Sequence, residues 1–219
     1  MENKTIRDRR TLRQEYRTVT NQVALAGTLT EEFSFCRRGR AVSYYSNTIC
    51  ILRNTGSEFT IPVLVPQTWI PLSISNQGRF VEIRGQFRSY NYTEGDKART
   101  AMQVFAQQMN PKGRFRSLPC MDQIFLDGFV CKMPSSRTNR NRERVTSVIL
   151  AVNRSYGRTD YIPCVFRNDT AAAAAAFYPG VHLAVWGEIQ SRVYEKRPAC
   201  GEPEYHTVYE VSVQHMEER

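Results

Sequence analysis

Residues 21–29 read Asn21-Gln-Val-Ala-Leu-Ala-Gly-Thr-Leu29, and residues 122–130 read Asp122-Gln-Ile-Phe-Leu-Asp-Gly-Phe-Val130. The second stretch begins 101 residues after the first and keeps Gln, Leu and Gly at the same places. Short apolar segments of this kind are typical of β-strands, and a similar segment at a long spacing indicates an internal repeat.

Further matches between the two halves of the chain follow in the same order. They pair Ile61-Pro62 with Ile162-Pro163, Gly78 with Gly180, Gly85–Tyr92 with Gly187–Tyr194, and Thr100–Met109 with Thr207–Met216. The spacing grows from 101 to 107 residues along the chain, as expected where loops carry insertions. The sequence therefore predicts a basic arm at residues 1–20, a domain at 21–109, a linker at 110–121 and a second domain at 122–219.

The second half has the order of elements of one small barrel. Its predicted strands are Gln123–Cys131, Val145–Val152, Tyr161–Phe166, His182–Tyr194 and Thr207–Val213. An alanine run at residues 171–176 predicts a helix between the third and fourth strands, which is the order of an OB fold. Pro66 and Pro71 at the equivalent place predict a shorter or distorted helix in the first half. We predict an all-β protein with two tandem five-stranded OB-fold barrels; a β-sandwich is the alternative, but it does not account for the alanine run.

Alternation along the fourth strand of each half separates a core face from an outward face. The predicted core positions are Val81, Ile83, Gly85 and Phe87, and Leu183, Val185, Gly187, Ile189 and Val193. The predicted outward positions include Arg84, Arg88, Tyr90 and Tyr92, and Trp186, Arg192 and Tyr194. Folding does not require an outward strip of arginine and aromatic residues, whereas a base-stacking surface does.

The charge of the chain favours a polyanionic partner. Lys and Arg number 30 against 21 Asp and Glu, which gives a net charge of +9. Arginine predominates and lies near aromatic residues, a mixture that suits single-stranded nucleic acid better than a membrane surface. The sequence has no apolar run of spanning length and no signal peptide, so we expect a cytoplasmic protein.

The cysteines and histidines predict no metal site and no catalytic site. Six cysteines and three histidines are widely spaced, without a C-x-x-C pair or zinc-ligand spacing. The sequence also lacks a phosphate-binding loop and a nucleophile-elbow motif. We expect no enzymatic activity, no cofactor and no small-molecule substrate.

The second half resembles the bacterial single-stranded-DNA-binding protein family. The resemblance is carried by Asp122–Val130, Val148–Tyr156, Thr159–Phe166 and Gly187–Tyr194. It implies base stacking on Tyr156, Tyr161 and Tyr194 in the second half, and on Phe59 and Tyr92 in the first. Beside these residues, Arg154, Arg158 and Arg192 are expected to contact phosphates. The resemblance also implies a homodimer with four OB folds.

These observations predict a protein that coats single-stranded DNA in replication, recombination or repair, with little sequence preference. Two alternatives remain open from the sequence. One is an OB-fold accessory protein that contacts other proteins, in which case Trp186, Arg192 and Tyr194 would be buried in an interface. The other is an RNA-binding OB protein, because stacking surfaces tolerate both sugars.

Overall fold

The chain is described from a computed structural model, over residues 19–53, 56–71, 73–95, 97–113, 120–139, 142–155, 157–196 and 203–219. The strands of the first half are β1 (Asn21–Leu29), β2 (Ser34–Arg38), β3 (Ser43–Leu52), β4 (Glu58–Pro66), β5 (Phe80–Glu94) and β6 (Lys97–Gly113). The strands of the second half are β7 (Met121–Val130), β8 (Ser135–Thr138), β9 (Arg144–Asn153), β10 (Thr159–Arg167), β11 (His182–Lys196) and β12 (Glu204–Glu218). The prediction of an all-β protein is confirmed.

The strand pairings close one ring of five strands in each half. In the first half, β1 pairs with β3 and β5, β3 with β4, β4 with β6, and β6 with β5. In the second half, β7 pairs with β9 and β11, β9 with β10, β10 with β12, and β12 with β11. Each ring contains one parallel pair, β4 with β6 and β10 with β12. This is the OB-fold strand order, and we call the two rings the first and second barrels.

The segment between the third and fourth strands differs between the barrels as the prolines predicted. In the second barrel it forms the helix α1 (Asn168–Ala174), which buries Ala171 and Ala174. In the first barrel it forms only a 3₁₀ turn (Gln67–Trp69). Two elements lie outside the predicted pattern, because β2 and β8 form hairpins with β3 and β9.

The predicted domain boundaries fall at the linker and at the N-terminal arm, which the structure describes only in part. Strand β6 continues to Gly113, four residues into the predicted linker, and residues 114–119 of that linker lie outside the described residues. Nearly all of the predicted basic arm, residues 1–18, also lies outside them. The domain boundaries therefore stay predictions.

The alternation rule correctly identified the core of both barrels, with one exception. Ile83, Phe87, Leu183 and Val185 are fully buried. Val193 was predicted to be in the core but is 64% exposed. After Gly187, which pairs with Ile124 of β7, strand β11 pairs with β12 alone, and its far end forms a two-stranded arm in which no second layer covers Val193.

The two barrels join along one strand of each. Strands β1 and β7 pair antiparallel, with Val23 opposite Ile124 and Gln22 opposite Phe125. Val23 and Ile124 are equivalent positions of the repeat, 101 residues apart. An antiparallel pairing in which equivalent residues face each other places an approximate twofold axis through that pair. The pairing extends the sheet through all twelve strands.

Equivalent polar residues beside this junction use different chemistry. Asn21 donates its amide to the Phe87 carbonyl oxygen (2.7 Å) and accepts the Phe87 N–H (2.9 Å). At the equivalent place, Asp122 accepts the Ile189 N–H (3.1 Å) but cannot donate to the Ile189 carbonyl. Arg53, from the first barrel, supplies that donor at 2.5 Å and lies 3.6 Å from the second carboxylate oxygen of Asp122. Burial raises the pKa of Asp122 from 3.8 to about 7.

Replacing Asp122 by asparagine is expected to stabilise the protein at pH 8. In the unfolded chain this carboxyl ionises near its ordinary pKa of 3.8, whereas in the folded chain it ionises near 7, so its effect on stability turns unfavourable as pH rises between those values. An asparagine would bond to Ile189 as Asn21 bonds to Phe87, and the free energy of unfolding at pH 8 should rise by about 1–3 kcal/mol. Urea unfolding at pH 5 and pH 8 measures both effects. The reciprocal change Asn21→Asp should destabilise the protein at pH 8, and equal pH dependence in wild type and Asp122→Asn would contradict the assignment.

Candidate nucleic-acid interface

The second barrel presents two tyrosines on its outer surface. Tyr161 lies on β10, where alternation turns it outward, and is 56% exposed. Tyr194 lies on the β11–β12 arm and stacks on His206 at 5.4 Å between ring centroids. The Arg192 guanidinium lies 5.9 Å from the Tyr194 ring and 3.5 Å from the Glu210 carboxylate. Arg158 is exposed in the loop before β10, and Tyr156 lies outside the described residues.

Arg154 has a different environment from the one predicted for a phosphate contact. Its guanidinium donates to both carboxylate oxygens of Asp160 and to the Ser89 carbonyl oxygen, 2.7 Å away. Ser89 belongs to the first barrel, so Arg154 bridges the two halves. Because its donors are directed at protein acceptors, we revise its predicted role from phosphate contact to structural contact.

Phe59 does not form part of the candidate interface, which corrects the prediction from the resemblance. On β4, Phe59 and Ile61 point into the barrel, whereas Thr60 between them is exposed. The exposed Tyr161 corresponds in the repeat to Thr60, and Phe59 corresponds to the buried Asp160. Arg53 covers the Phe59 ring at 4.6 Å, so no face of this ring is presented for stacking.

The first barrel presents its own aromatic strip on β5. Tyr90 and Tyr92 are both about two-fifths exposed, with ring centroids 6.0 Å apart. Burial raises the pKa of Tyr90, and the neighbouring Tyr92 adds to this effect. Arg84 is exposed, whereas Arg88 is partly buried and burial lowers its pKa. Predicted residues of this strip therefore share one face, as alternation requires.

A ladder of arginine and aromatic rings extends from this strip and was not found from the sequence. Arg37 lies 5.4 Å from the Tyr44 ring, Tyr44 lies 5.6 Å from the Phe105 ring, and Arg88 lies 3.9 Å from the Phe105 ring. These four residues lie on β2, β3, β6 and β5. The sequence signal was weak, because residues far apart in the chain meet only when the barrel closes.

Trp186 lies in a groove that crosses the β1–β7 junction. The groove has a volume of about 990 Å³ and is lined on one side by Arg84 and Gln108. On the other side, Trp186 packs against Phe125 (5.0 Å) and His215 (5.2 Å between centroids). Trp186 is thus on the outward face, as predicted, but away from the tyrosines of β10 and the β11–β12 arm.

The described residues contain neither a metal-ligand cluster nor a membrane-spanning helix. Among them, no three His, Cys, Asp or Glu side chains are grouped so as to hold a metal ion. In the same parts of the chain, no helix has the length and apolar composition of a membrane span.

The geometry defines a tandem OB-fold protein with an outward aromatic and arginine surface, and comparison with known proteins agrees. Residues 121–218, which span the second barrel, match the model of the Single-strand binding protein family, and the resemblance stated for the second half is confirmed. Two crystal structures of the single-stranded DNA binding protein from Thermus aquaticus share the fold over both barrels. The wild-type structure superposes with a TM-score of 0.68 at 19% identity and covers 91% of this chain and 92% of its own. A deletion mutant superposes with a TM-score of 0.67 at 20% identity and covers 91% of this chain and 94% of its own. A sequence search of curated proteins gives no match.

Proposed function

We propose that this protein binds and coats single-stranded DNA with little sequence preference, in replication, recombination and repair, and that it does so without catalysis. One observation carries the proposal: the second barrel, which matches the model of the single-strand binding protein family, exposes Tyr161 on its third strand and Tyr194 on its fourth, beside Arg192. In OB folds this region binds oligonucleotides. We further propose a bacterial, phage or mobile-element origin and a cytoplasmic location.

The strand would cross the outward surfaces of both barrels. Bases would stack on the exposed tyrosines, and phosphates would meet the exposed guanidinium groups. In the second barrel we assign these roles to Tyr156, Tyr161, Tyr194, Arg158 and Arg192. In the first barrel we assign them to Tyr90, Tyr92 and the partly buried Arg88, because Arg84 lines the groove at the β1–β7 junction. Duplex DNA should bind poorly, because paired bases hide their faces inside the stack.

Fluorescence anisotropy with a labelled oligothymidine tests this function directly. We expect tight binding that weakens steeply as salt rises, because each neutralised phosphate releases counterions. A matched duplex should not displace the labelled strand, and an oligouridine of the same length measures the preference for DNA over RNA. Absence of binding at low salt, or displacement by duplex, would reject the proposal.

We also propose that the chain assembles as a homodimer with four OB folds, through the groove at the β1–β7 junction. The groove crosses the β1–β7 junction and holds the half-buried rings of Trp186 and Phe125, and aromatic residues are enriched at interfaces. Light scattering should give about twice the chain mass of 25.3 kDa. Trp186→Glu should reduce that value to one chain, and a monomeric wild type would exclude the dimer.

A further inference from the structure

A buried carboxylate connects the strands that carry the exposed tyrosines of the two barrels. Asp160 of β10 accepts hydrogen bonds from the Ser89 N–H (2.6 Å) and the Ser89 hydroxyl (3.0 Å) of β5. Arg154 donates to the same carboxylate (2.5 Å to Oδ2) and to the Ser89 carbonyl oxygen (2.7 Å). We call Asp160, Arg154 and Ser89 the inter-barrel joint.

The joint lies directly beside the residues proposed to stack bases. Asp160 precedes Tyr161 on β10, and Ser89 precedes Tyr90 on β5. The Asp160 side chain is 1% exposed, and the joint satisfies both of its oxygens. A buried, fully bonded carboxylate is costly to disturb, so it holds its neighbours in one geometry. The joint therefore sets the position of Tyr161 relative to Tyr90.

The equivalent place on the other side of the twofold axis carries no such joint. Phe59 stands where Asp160 does in the repeat, and Arg53 stands where Arg154 does. Arg53 covers the Phe59 ring and donates to the Ile189 carbonyl, instead of pairing with a carboxylate of its own barrel. Folding of an OB barrel does not itself require a charged residue at this inward position, because the first barrel places phenylalanine there.

We propose that Asp160 is a positioning residue that aligns the stacking surfaces of the two barrels into one path for a single strand. This inference rests on the proposed function. When two surfaces are held in register, binding to the second follows binding to the first at high effective concentration and with little ordering cost. Asp160 would then act on strands long enough to span both barrels, and not on strands that occupy one.

The test compares two lengths of oligothymidine on the full chain. Since one OB fold binds about 4–16 nucleotides, a strand of about 8 nucleotides suits one barrel, whereas a strand of about 30 nucleotides spans several. Asp160→Asn keeps the shape of the side chain but removes the charge that holds Arg154. We expect its affinity for the short strand to stay within about twofold of wild type and its affinity for the long strand to fall on the order of tenfold. Its salt dependence should not change, because Asp160 contacts no phosphate.

A matched variant separates this effect from the change in net charge. Asp169→Asn removes the same charge from an exposed position in the first turn of α1, away from the joint. It should leave the ratio of long-strand to short-strand affinity at the wild-type value. Thermal unfolding shows whether Asp160→Asn is folded. If it is not, Ser89→Ala serves as the second variant: it removes one hydrogen bond of the joint from the opposite barrel and should lower the ratio of long-strand to short-strand affinity in part.

The outcomes distinguish the inference from the function on which it rests. If wild type binds neither strand, the proposed function fails. If wild type binds both strands, and a folded Asp160→Asn or Ser89→Ala keeps the wild-type ratio, the positioning role of Asp160 is wrong while the proposed function stands. Equal loss on both strands would also contradict the positioning role, since it would place Asp160 in the contact surface of one barrel.

Discussion

The double substitution Tyr161→Ala and Tyr194→Ala is expected to weaken binding of oligothymidine by at least about 30-fold, because two lost stacks together remove about 2–6 kcal/mol. Both rings are exposed on the second barrel and neither contributes to its core. Each stacked base contributes about 1–3 kcal/mol by alanine substitution, and about 1.4 kcal/mol corresponds to tenfold in affinity. Fluorescence anisotropy at constant salt measures the loss, and the free energy of unfolding should remain near the wild-type value.

Two controls make this result specific to stacking. Tyr178→Ala removes a tyrosine that is 63% exposed but lies after α1, outside the outward strip, and should not change affinity. Phenylalanine at positions 161 and 194 keeps the ring face without the hydroxyl and should retain most of the binding. Wild-type affinity in a folded double alanine variant would show that these tyrosines are not the stacking residues.

Substitution of Gly187 by alanine is expected to lower the free energy of unfolding by about 2–4 kcal/mol, among the larger effects of a single change. Strand β11 has a bulge between Trp186 and Gly187, where it curves to close the barrel. A Cβ at Gly187 would lie 2.1 Å from the Ser212 carbonyl oxygen of β12, and this oxygen belongs to the backbone and cannot rotate away. The strand pair would have to separate at the bulge, which also supports the arm that carries Tyr194.

Comparison with other glycines tests this steric explanation. Gly85, the equivalent position of the first barrel, would place a Cβ 2.1 Å from the Phe105 carbonyl oxygen, so Gly85→Ala should have a similar cost. Gly95 has a positive φ of 59° and open space around it. Because asparagine tolerates this conformation, Gly95→Asn should be close to neutral. Urea unfolding measures all three, and a neutral Gly187→Ala would contradict the close approach of β11 and β12 at the bulge.

Much of the fold could be predicted from the sequence because the decisive signals are periodic along the chain. The repeat of Asn21–Leu29 at Asp122–Val130 indicated two similar units, and alternation in His182–Tyr194 placed Leu183 and Val185 in the core. Alternation depends only on the geometry of a single strand, which makes it readable without knowledge of its neighbours. Applied to β4, alternation would also have placed Phe59 inward with Ile61. The prediction for Phe59 was taken instead from its position in the family resemblance.

The parts that could not be predicted depend on which strands meet. Arg154 was assigned to phosphate, yet its partner Ser89 lies 65 residues away in the other half of the chain. The ladder from Arg37 to Arg88 crosses four strands, and the groove around Trp186 exists only because β1 pairs with β7. The tertiary structure decides the partner of a long polar side chain, because several acceptors of similar strength compete for it and only folding brings one within hydrogen-bond distance.

The amino-acid sequence by itself determined that this chain forms two similar β-barrels with an outward strip of tyrosine and arginine, because strand periodicity and repetition are properties of the chain alone. Only the tertiary structure decided how the two barrels are joined: through β1 and β7, around an approximate twofold axis, with Asp160 and Arg154 bonded to Ser89 across the junction. That arrangement requires backbone pairing and compensation of buried charge between segments far apart in sequence. These interactions stabilise the protein only when the two barrels are in contact.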